Sequence, residues 1–239
     1  MPSTAARALA HLLLPAECLL CRALLSFSDA DRLVCRVCRH RWRPVTRPWC
    51  ERCGQPEPLF GACRICAEWP AAFTRARSAV WLDEGPRHAV HALKYGGLPR
   101  IADDLAEAMA ALRPPADEAS VLVPIPLGAR RLAARGYNQS ERLGRALARA
   151  WERPLAADFL TRVRETATQT ALTPAARLAN VAGAFRARRS LPERFTAVLV
   201  DDVFTTGATL AAAAEALAAA GARRIAAVTF GRAAVPDFT

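Results

Sequence analysis

From about residue 71 onward the chain alternates short apolar runs with longer stretches of helical character, the pattern of an α/β domain built on a parallel sheet. The apolar run from Ala197 to Val200 predicts a buried parallel strand. The alanine-rich stretch from about Leu210 to Ala220 predicts the helix after it, with Gly221 placed to end it. Ala79 to Leu82 and Val121 to Pro126 read as two further strands, the second cut by prolines. Pro86 suits the first turn of a helix that Gly96-Gly97 stops. Asn138-Gln-Ser-Glu141 has the spacing of a capping box and opens a helix to about Trp151. Thr173-Pro174 marks another helix start. The connection before it, Arg162 to Thr170, is polar and poor in packing residues, as in segments that close over a ligand. Ahead of residue 71 the pattern gives way to Pro, Arg and Cys. Leu9 to Leu14, with His11 inside it, predicts only a short amphipathic helix. Two units follow: a small N-terminal one over residues 1–70 and an α/β domain over 71–239.

The strongest chemistry follows the Ala197 strand. Asp201 and Asp202 stand at its carboxyl end, where open α/β sheets bind ligands. Thr205-Thr206-Gly207-Ala208-Thr209 lies between the acids and the next helix. Hydroxyls and free N–H groups at a helix start suit a phosphate, and Gly207 lets the backbone approach it closely. Two adjacent carboxylates can accept hydrogen bonds from a vicinal diol or help hold a hydrated magnesium ion. Diol plus phosphate describes a ribose 5-phosphate. Neither G-x-x-x-x-G-K-[ST] nor G-x-G-x-x-G occurs, which speaks against a P-loop nucleotidase and a dinucleotide site.

All eight cysteines fall within residues 18–66, as Cys18-x2-Cys21-x13-Cys35-x2-Cys38 and Cys50-x2-Cys53-x9-Cys63-x2-Cys66. Four C-x-x-C pairs are a zinc pattern: each pair grips one face of a tetrahedral ion, and two pairs close it. Sites closed in this way are structural, and metal supplies folding energy that so small a loop-rich unit lacks. Sequential pairing needs the least chain excursion; interleaved pairing of first with third and second with fourth is also open.

Net charge is +11, and two zinc-thiolate sites would bring it to about +7. Nearly all the basic residues are arginine, and Lys94 is the only lysine. Arg36, Arg39, Arg41, Arg43, Arg47 and Arg52 interleave with Trp42 and Trp49. Such a pattern either stacks on unpaired bases of single-stranded DNA or packs the ribbons and the main domain. Lys94 reads as a mobile point charge near a phosphate or substrate, or as a solvated helix residue. His88 and His91 have helix-turn spacing without a nearby acid or cysteine and read as surface or packing residues. Arg130, Arg131 and Arg135, in a glycine-flanked loop between a strand and a capped helix, suit a second polyanion such as pyrophosphate. No window reaches the roughly eighteen apolar residues of a membrane span. The reduced-cysteine reading points to the cytoplasm.

The Asp201–Thr209 block resembles the binding motif for phosphoribosyl diphosphate (PRPP) of type I phosphoribosyltransferases. Other elements are similar to the ComF family: Leu-Leu-Leu-Pro-x-x-Cys18, Leu93-Lys94-Tyr95-Gly96-Gly97, Arg135-Gly-Tyr-Asn-Gln139 and the Arg162-x-Arg-x-Thr-x-x-Gln segment. The resemblance implies a type I phosphoribosyltransferase fold behind a double zinc ribbon. It also implies that Asp201 and Asp202 hold the ribose hydroxyls and that Thr205, Thr206, Gly207, Ala208 and Thr209 wrap the 5-phosphate. Implied partners are PRPP with magnesium, proteins of the competence machinery and single-stranded DNA. The implied context is natural competence or use of DNA as a nutrient, by catalysis on an unnamed acceptor or as a scaffold.

Overall fold

The computed structural model describes residues 16–56, 63–114, 119–165, 180–190, 193 and 195–234. The helix start at Thr173-Pro174, the second half of the polar connection and the Leu9–Leu14 patch lie outside them.

Four parallel strands form the central sheet in the order β1-β6-β5-β2. They are β1 (Phe73–Trp81), β2 (Ser120–Pro124), β5 (Thr196–Phe204) and β6 (Arg224–Arg232). In β5, Ala197 and Leu199 face one hydrophobic layer, while Val198 and Val200 face the other. Helices therefore cover both sides, as a parallel sheet requires. One layer holds α6 (Ala208–Ala219). The opposite layer holds α2 (Glu84–Tyr95), α3 (Ile101–Met109) and α5 (Gln139–Trp151). In α6 the small side chains Ala211 to Ala214 are all buried, so the helix lies close against the sheet.

The sequence pattern finds β2, β5, α2, α5 and α6, within a few residues at their ends. It finds only the last part of β1, because Arg75 and Arg77 interrupt the apolar run. It does not single out β6, whose Ile225-Ala-Ala-Val blends into the preceding alanine-rich helix, nor α3. It also misses the antiparallel pair β3 (Leu160–Arg162) and β4 (Phe185–Ala187). The arginine stretch after β2 is a short helix, α4 (Ala129–Arg135), rather than a loop; Gly136 ends it at φ +80°. Such a left-handed turn suits glycine.

The eight cysteines gather as Cys18, Cys21, Cys35 and Cys38, and as Cys50, Cys53, Cys63 and Cys66. The sulfurs of each set lie within 4.8 Å of one another. Pairing is thus sequential, and the interleaved alternative is excluded. The two clusters pack on opposite sides of the sheet. Cys18, Cys38 and Trp42 join the layer of α2, α3 and α5, whereas Cys53, Cys66 and Trp69 join the layer of α6. The first cluster, whose short helix α1 (Arg36–His40) carries Arg39, is tied down by the buried Asp104 of α3. This carboxylate accepts from Leu33 N at 3.0 Å and from Arg39 Nη1 at 3.2 Å. Residues 43–45 run between the clusters along the outer edge of β1. Trp81 N donates to Arg43 O (2.9 Å) and Val45 N to Ala79 O (3.1 Å). An edge that would otherwise offer free backbone groups is thereby covered.

Candidate functional site

Asp201 and Asp202 are buried near the end of β5 and open onto a cavity of about 750 Å³. The walls include Lys94 and Tyr95 from the end of α2, Arg131 and Arg135 from α4, Arg162 from β3, and Thr205 and Thr209. A cavity of this size at the carboxyl end of a parallel sheet suits a small charged ligand.

The two carboxylates are held differently. Asp201 Oδ1 accepts from Ser140 Oγ at 2.8 Å and from Asp202 N at 2.9 Å. Ser140 is fixed by the start of α5: its N–H donates to the capping Asn138 Oδ1 (3.1 Å), and Asn138 Nδ2 donates to Ile125 O (2.9 Å). The expected reciprocal arm of the capping box is turned elsewhere, since Glu141 pairs with Arg145. Asp202 Oδ2 forms an ion pair with Lys94 Nζ at 2.5 Å.

Burial drives the Asp201 carboxyl up, the Asp202 charge adds to it, and the result is about 7. The Ser140 hydrogen bond and Lys94 oppose this rise without cancelling it. Burial acts on Asp202 as well, but the Lys94 charge outweighs it and holds this carboxyl below the ordinary range. Burial likewise works against the charge on Lys94, and Asp202 overcomes it, so the lysine stays protonated. The pair thus presents one firmly ionised carboxylate and one that exchanges its proton near neutral pH.

Beyond the acids, Thr206 Oγ1 is buried and has no hydrogen-bond partner among the described residues. Such an orphan hydroxyl at a helix start is a donor in waiting. The first N–H groups of α6 also lack intrahelical acceptors, and their dipole favours an anion. Gly207 caps this helix at φ +76°. A Cβ there would fall 2.9 Å from the Phe204 ring and 3.0 Å from the Trp69 ring. The space glycine leaves is therefore filled by protein, which differs from the expected role of admitting a phosphate.

Of the three arginines singled out, Arg131 and Arg135 line the cavity. Arg130 is exposed and stands outside it, with its backbone N–H on Glu165 Oε1 at 3.1 Å. Arg135 is braced by Gln139 and lies 5.3 Å over the Tyr95 ring. Lys94 is not on a solvated face; it is part of the acid site. Ser140, Tyr95, Gln139 and Arg162 also belong to the site; in the sequence Tyr95 stands out only within Leu-Lys-Tyr-Gly-Gly, Gln139 within Arg-Gly-Tyr-Asn-Gln and Arg162 within Arg-x-Arg. Ser140 in particular is legible only as part of a cap. His91 packs against Tyr95, with ring centroids 5.0 Å apart.

The cysteine clusters fit zinc. A Zn–S bond of ~2.3 Å places tetrahedral sulfurs about 3.8 Å apart, and Cys21–Cys35 and Cys50–Cys66 lie at 3.8 Å and 3.7 Å. Backbone N–H groups point at sulfur, as Cys35 N does at Cys18 Sγ (3.3 Å). Burial, with Cys50 beside it, pushes the Cys66 thiol up to about 12. Thiols crowded in this way need a cation to ionise together, which Zn²⁺ supplies.

The tryptophans of the ribbons are not open platforms. Trp42 is 6% exposed and meets Phe230 edge-on at 5.1 Å. Trp49 carries Arg47 and Arg77 over its ring at 5.6 Å and 5.1 Å. Arg52 donates to four backbone carbonyls. Trp42 and Arg52 take the packing alternative. Among the described residues, no helix is long and apolar enough to cross a membrane.

Comparison with known proteins agrees with this architecture. A double zinc ribbon domain model matches residues 9–68, and a phosphoribosyl transferase domain model matches residues 95–235. The chain is 34% identical over 229 residues to the DNA utilization protein YhgH of Salmonella typhi, covering 90% of this chain and 96% of that one. It is 28% identical over 198 residues to the competence protein ComFC of Bacillus subtilis, covering 78% of each. A shorter match, 39% over 92 residues, reaches competence protein F of Haemophilus influenzae and covers 37% of this chain and 40% of that one. A double zinc ribbon joined to a phosphoribosyl transferase domain, with relatives of these names along most of its length, makes this chain a member of the ComF family.

Proposed function

We propose that the chain binds PRPP with magnesium at the Asp201–Thr209 cavity, as a cytoplasmic phosphoribosyltransferase acting where incoming DNA is handled. The observation that carries this reading is that two buried carboxylates share one cavity with Thr205 and with Thr209 of the α6 start, while the orphan Thr206 hydroxyl lies between these threonines in sequence. Asp201 and Asp202 accept the ribose 2- and 3-hydroxyls. Thr206 and the first N–H groups of α6 take the 5-phosphate, with Thr205 and Thr209 beside it. Arg131 and Arg135 meet the pyrophosphate across the cavity. Asp201 and Asp202, together with the pyrophosphate, would hold magnesium, which would offset the charge on the departing pyrophosphate. The anomeric carbon loses pyrophosphate as an acceptor bonds to it, and the acceptor gives up a proton. Positioning and charge compensation are the protein's contributions. The DNA-handling context is supported by the names of the relatives. Residues 1–70 serve as the zinc-bearing unit and 71–239 as the PRPP-binding one.

Calorimetry with PRPP and magnesium tests the site: Asp202→Asn should abolish measurable binding, and equal affinity in the two proteins would overturn the assignment. Pyrophosphate release on adding nucleobase or single-stranded DNA acceptors separates turnover from a binding role.

A further inference from the structure

The two zinc clusters look equivalent in sequence and are not equivalent in space. The first meets α2, α3 and the Phe230 side of the sheet. The second reaches the loop that ends β5. Two side chains make that reach. Trp69, three residues after Cys66, is 7% exposed and stacks on Phe73 at 4.2 Å with planes 14° apart. It meets Phe204 at 6.3 Å, and its ring fills the space beside Gly207 that a Cβ would need. The main chain behind it is pinned by Arg52, which donates to Cys66 O (2.8 Å) and Trp69 O (2.9 Å).

From the other side comes Arg232, the last residue of β6 and 2% exposed. Its Nη1 donates to Cys53 O (3.0 Å) and its Nη2 to Gln55 Oε1 (2.8 Å), while the guanidinium lies 4.4 Å over the Phe204 ring. Phe204 immediately precedes Thr205. It is thus gripped between a ribbon tryptophan and an arginine anchored on the ribbon. Zinc with four thiolates carries a net charge of roughly −2, which offsets this buried cation.

We propose that the second zinc ribbon sets the conformation of the Thr205–Thr209 loop, with Trp69 and Arg232 as positioning residues, and that the first ribbon does not. Its consequence for ligand binding rests on the PRPP reading; its structural content does not. Phe204 cannot shift and Gly207 cannot change its turn without moving Trp69, so the orphan Thr206 hydroxyl and the start of α6 are presented in one arrangement. A loop held this way binds phosphate without first being ordered.

The test uses the full zinc-loaded chain with Trp69→Leu, Trp69→Phe and, on the opposite side of the sheet, Trp42→Leu. Zinc content, hydrogen exchange over residues 203–210 without ligand, and PRPP affinity are measured for each. Trp69→Leu should keep two zinc ions, exchange the loop amides faster and bind PRPP roughly tenfold more weakly. Trp69→Phe, which keeps the stacking on Phe73, should fall between it and the wild type, and it carries the test alone if the leucine variant does not fold. Trp42→Leu should leave loop exchange unchanged. Wild-type loop exchange in a zinc-replete Trp69 variant, or equal acceleration in Trp42→Leu, overturns the proposal. A wild-type protein that binds no PRPP defeats the proposed function instead, and the ligand-free exchange comparison still decides this one.

Discussion

Ser140 Oγ and Asp201 Oδ1 are 2.8 Å apart although 61 residues separate them. This bond fastens the start of α5 to the end of β5, and among the described residues Ser140 is the neutral side chain that favours the ionised form of Asp201. Removing it in Ser140→Ala should raise the proton affinity of Asp201 further. PRPP affinity at pH 7 is expected to fall about tenfold, in line with the loss of a hydrogen bond to a charged group. The pH at which binding reaches half its maximum should move upward. Calorimetric titrations from pH 6 to pH 9 check both, and an unshifted midpoint would count against the role given to Ser140.

Asp201 itself makes stability depend on pH. Its folded-state pKa, about 7, lies above the ordinary carboxylate value. The stabilisation it gives is therefore fully present below about pH 4 and is lost as pH rises through 7. Asp201→Asn removes this dependence. Urea unfolding of the two proteins should show the variant gaining on the wild type across that window. Parallel curves would refute the shift.

Lys94→Met leaves Asp202 buried without its counter-charge. Breaking such a pair costs roughly 3 kcal/mol. The deficit should be larger at pH 8 than at pH 5, because both acids can then be protonated at the lower pH and neither carries an unpaired buried charge. Unfolding free energies at the two pH values test this, with an equal deficit at both arguing against the ion pair.

Much of this site can be read along the chain because strand, acids, threonines and helix follow one another within about two dozen residues. Lys94 draws attention only because every other basic residue besides histidine is arginine. What joins distant segments is not legible: Ser140 reads as a helix cap, Arg232 as a charged strand end, and Trp69 as one aromatic among loop residues. Gly207 is recognisable from its motif, but the tryptophan that demands it is visible only in three dimensions. The same holds for the ribbons, whose spacing declares zinc while giving no hint that they take opposite faces of one sheet.

Zinc removal should open an edge as well as loosen the ribbons. Residues 43–45 cover β1 only while the clusters on either side hold them there. Chelation at neutral pH should lower the thermal midpoint and produce concentration-dependent association, seen by light scattering, as β1 is exposed. A chelated protein that stays monomeric would show that the edge is protected by other means.

The pairing of β1 with β6 also sets a timetable. Phe73 lies opposite Ile225 and Trp81 opposite Arg232, and among the described strands β1 joins the sheet only through β6. During synthesis the cysteine clusters leave the ribosome well before Phe230 and Arg232, on which they dock. The ribbons must therefore wait for the last strand of the sheet before they can settle. Metal taken up early would keep eight thiols occupied during that interval, so that the ribbons are chemically finished long before they are mechanically in place.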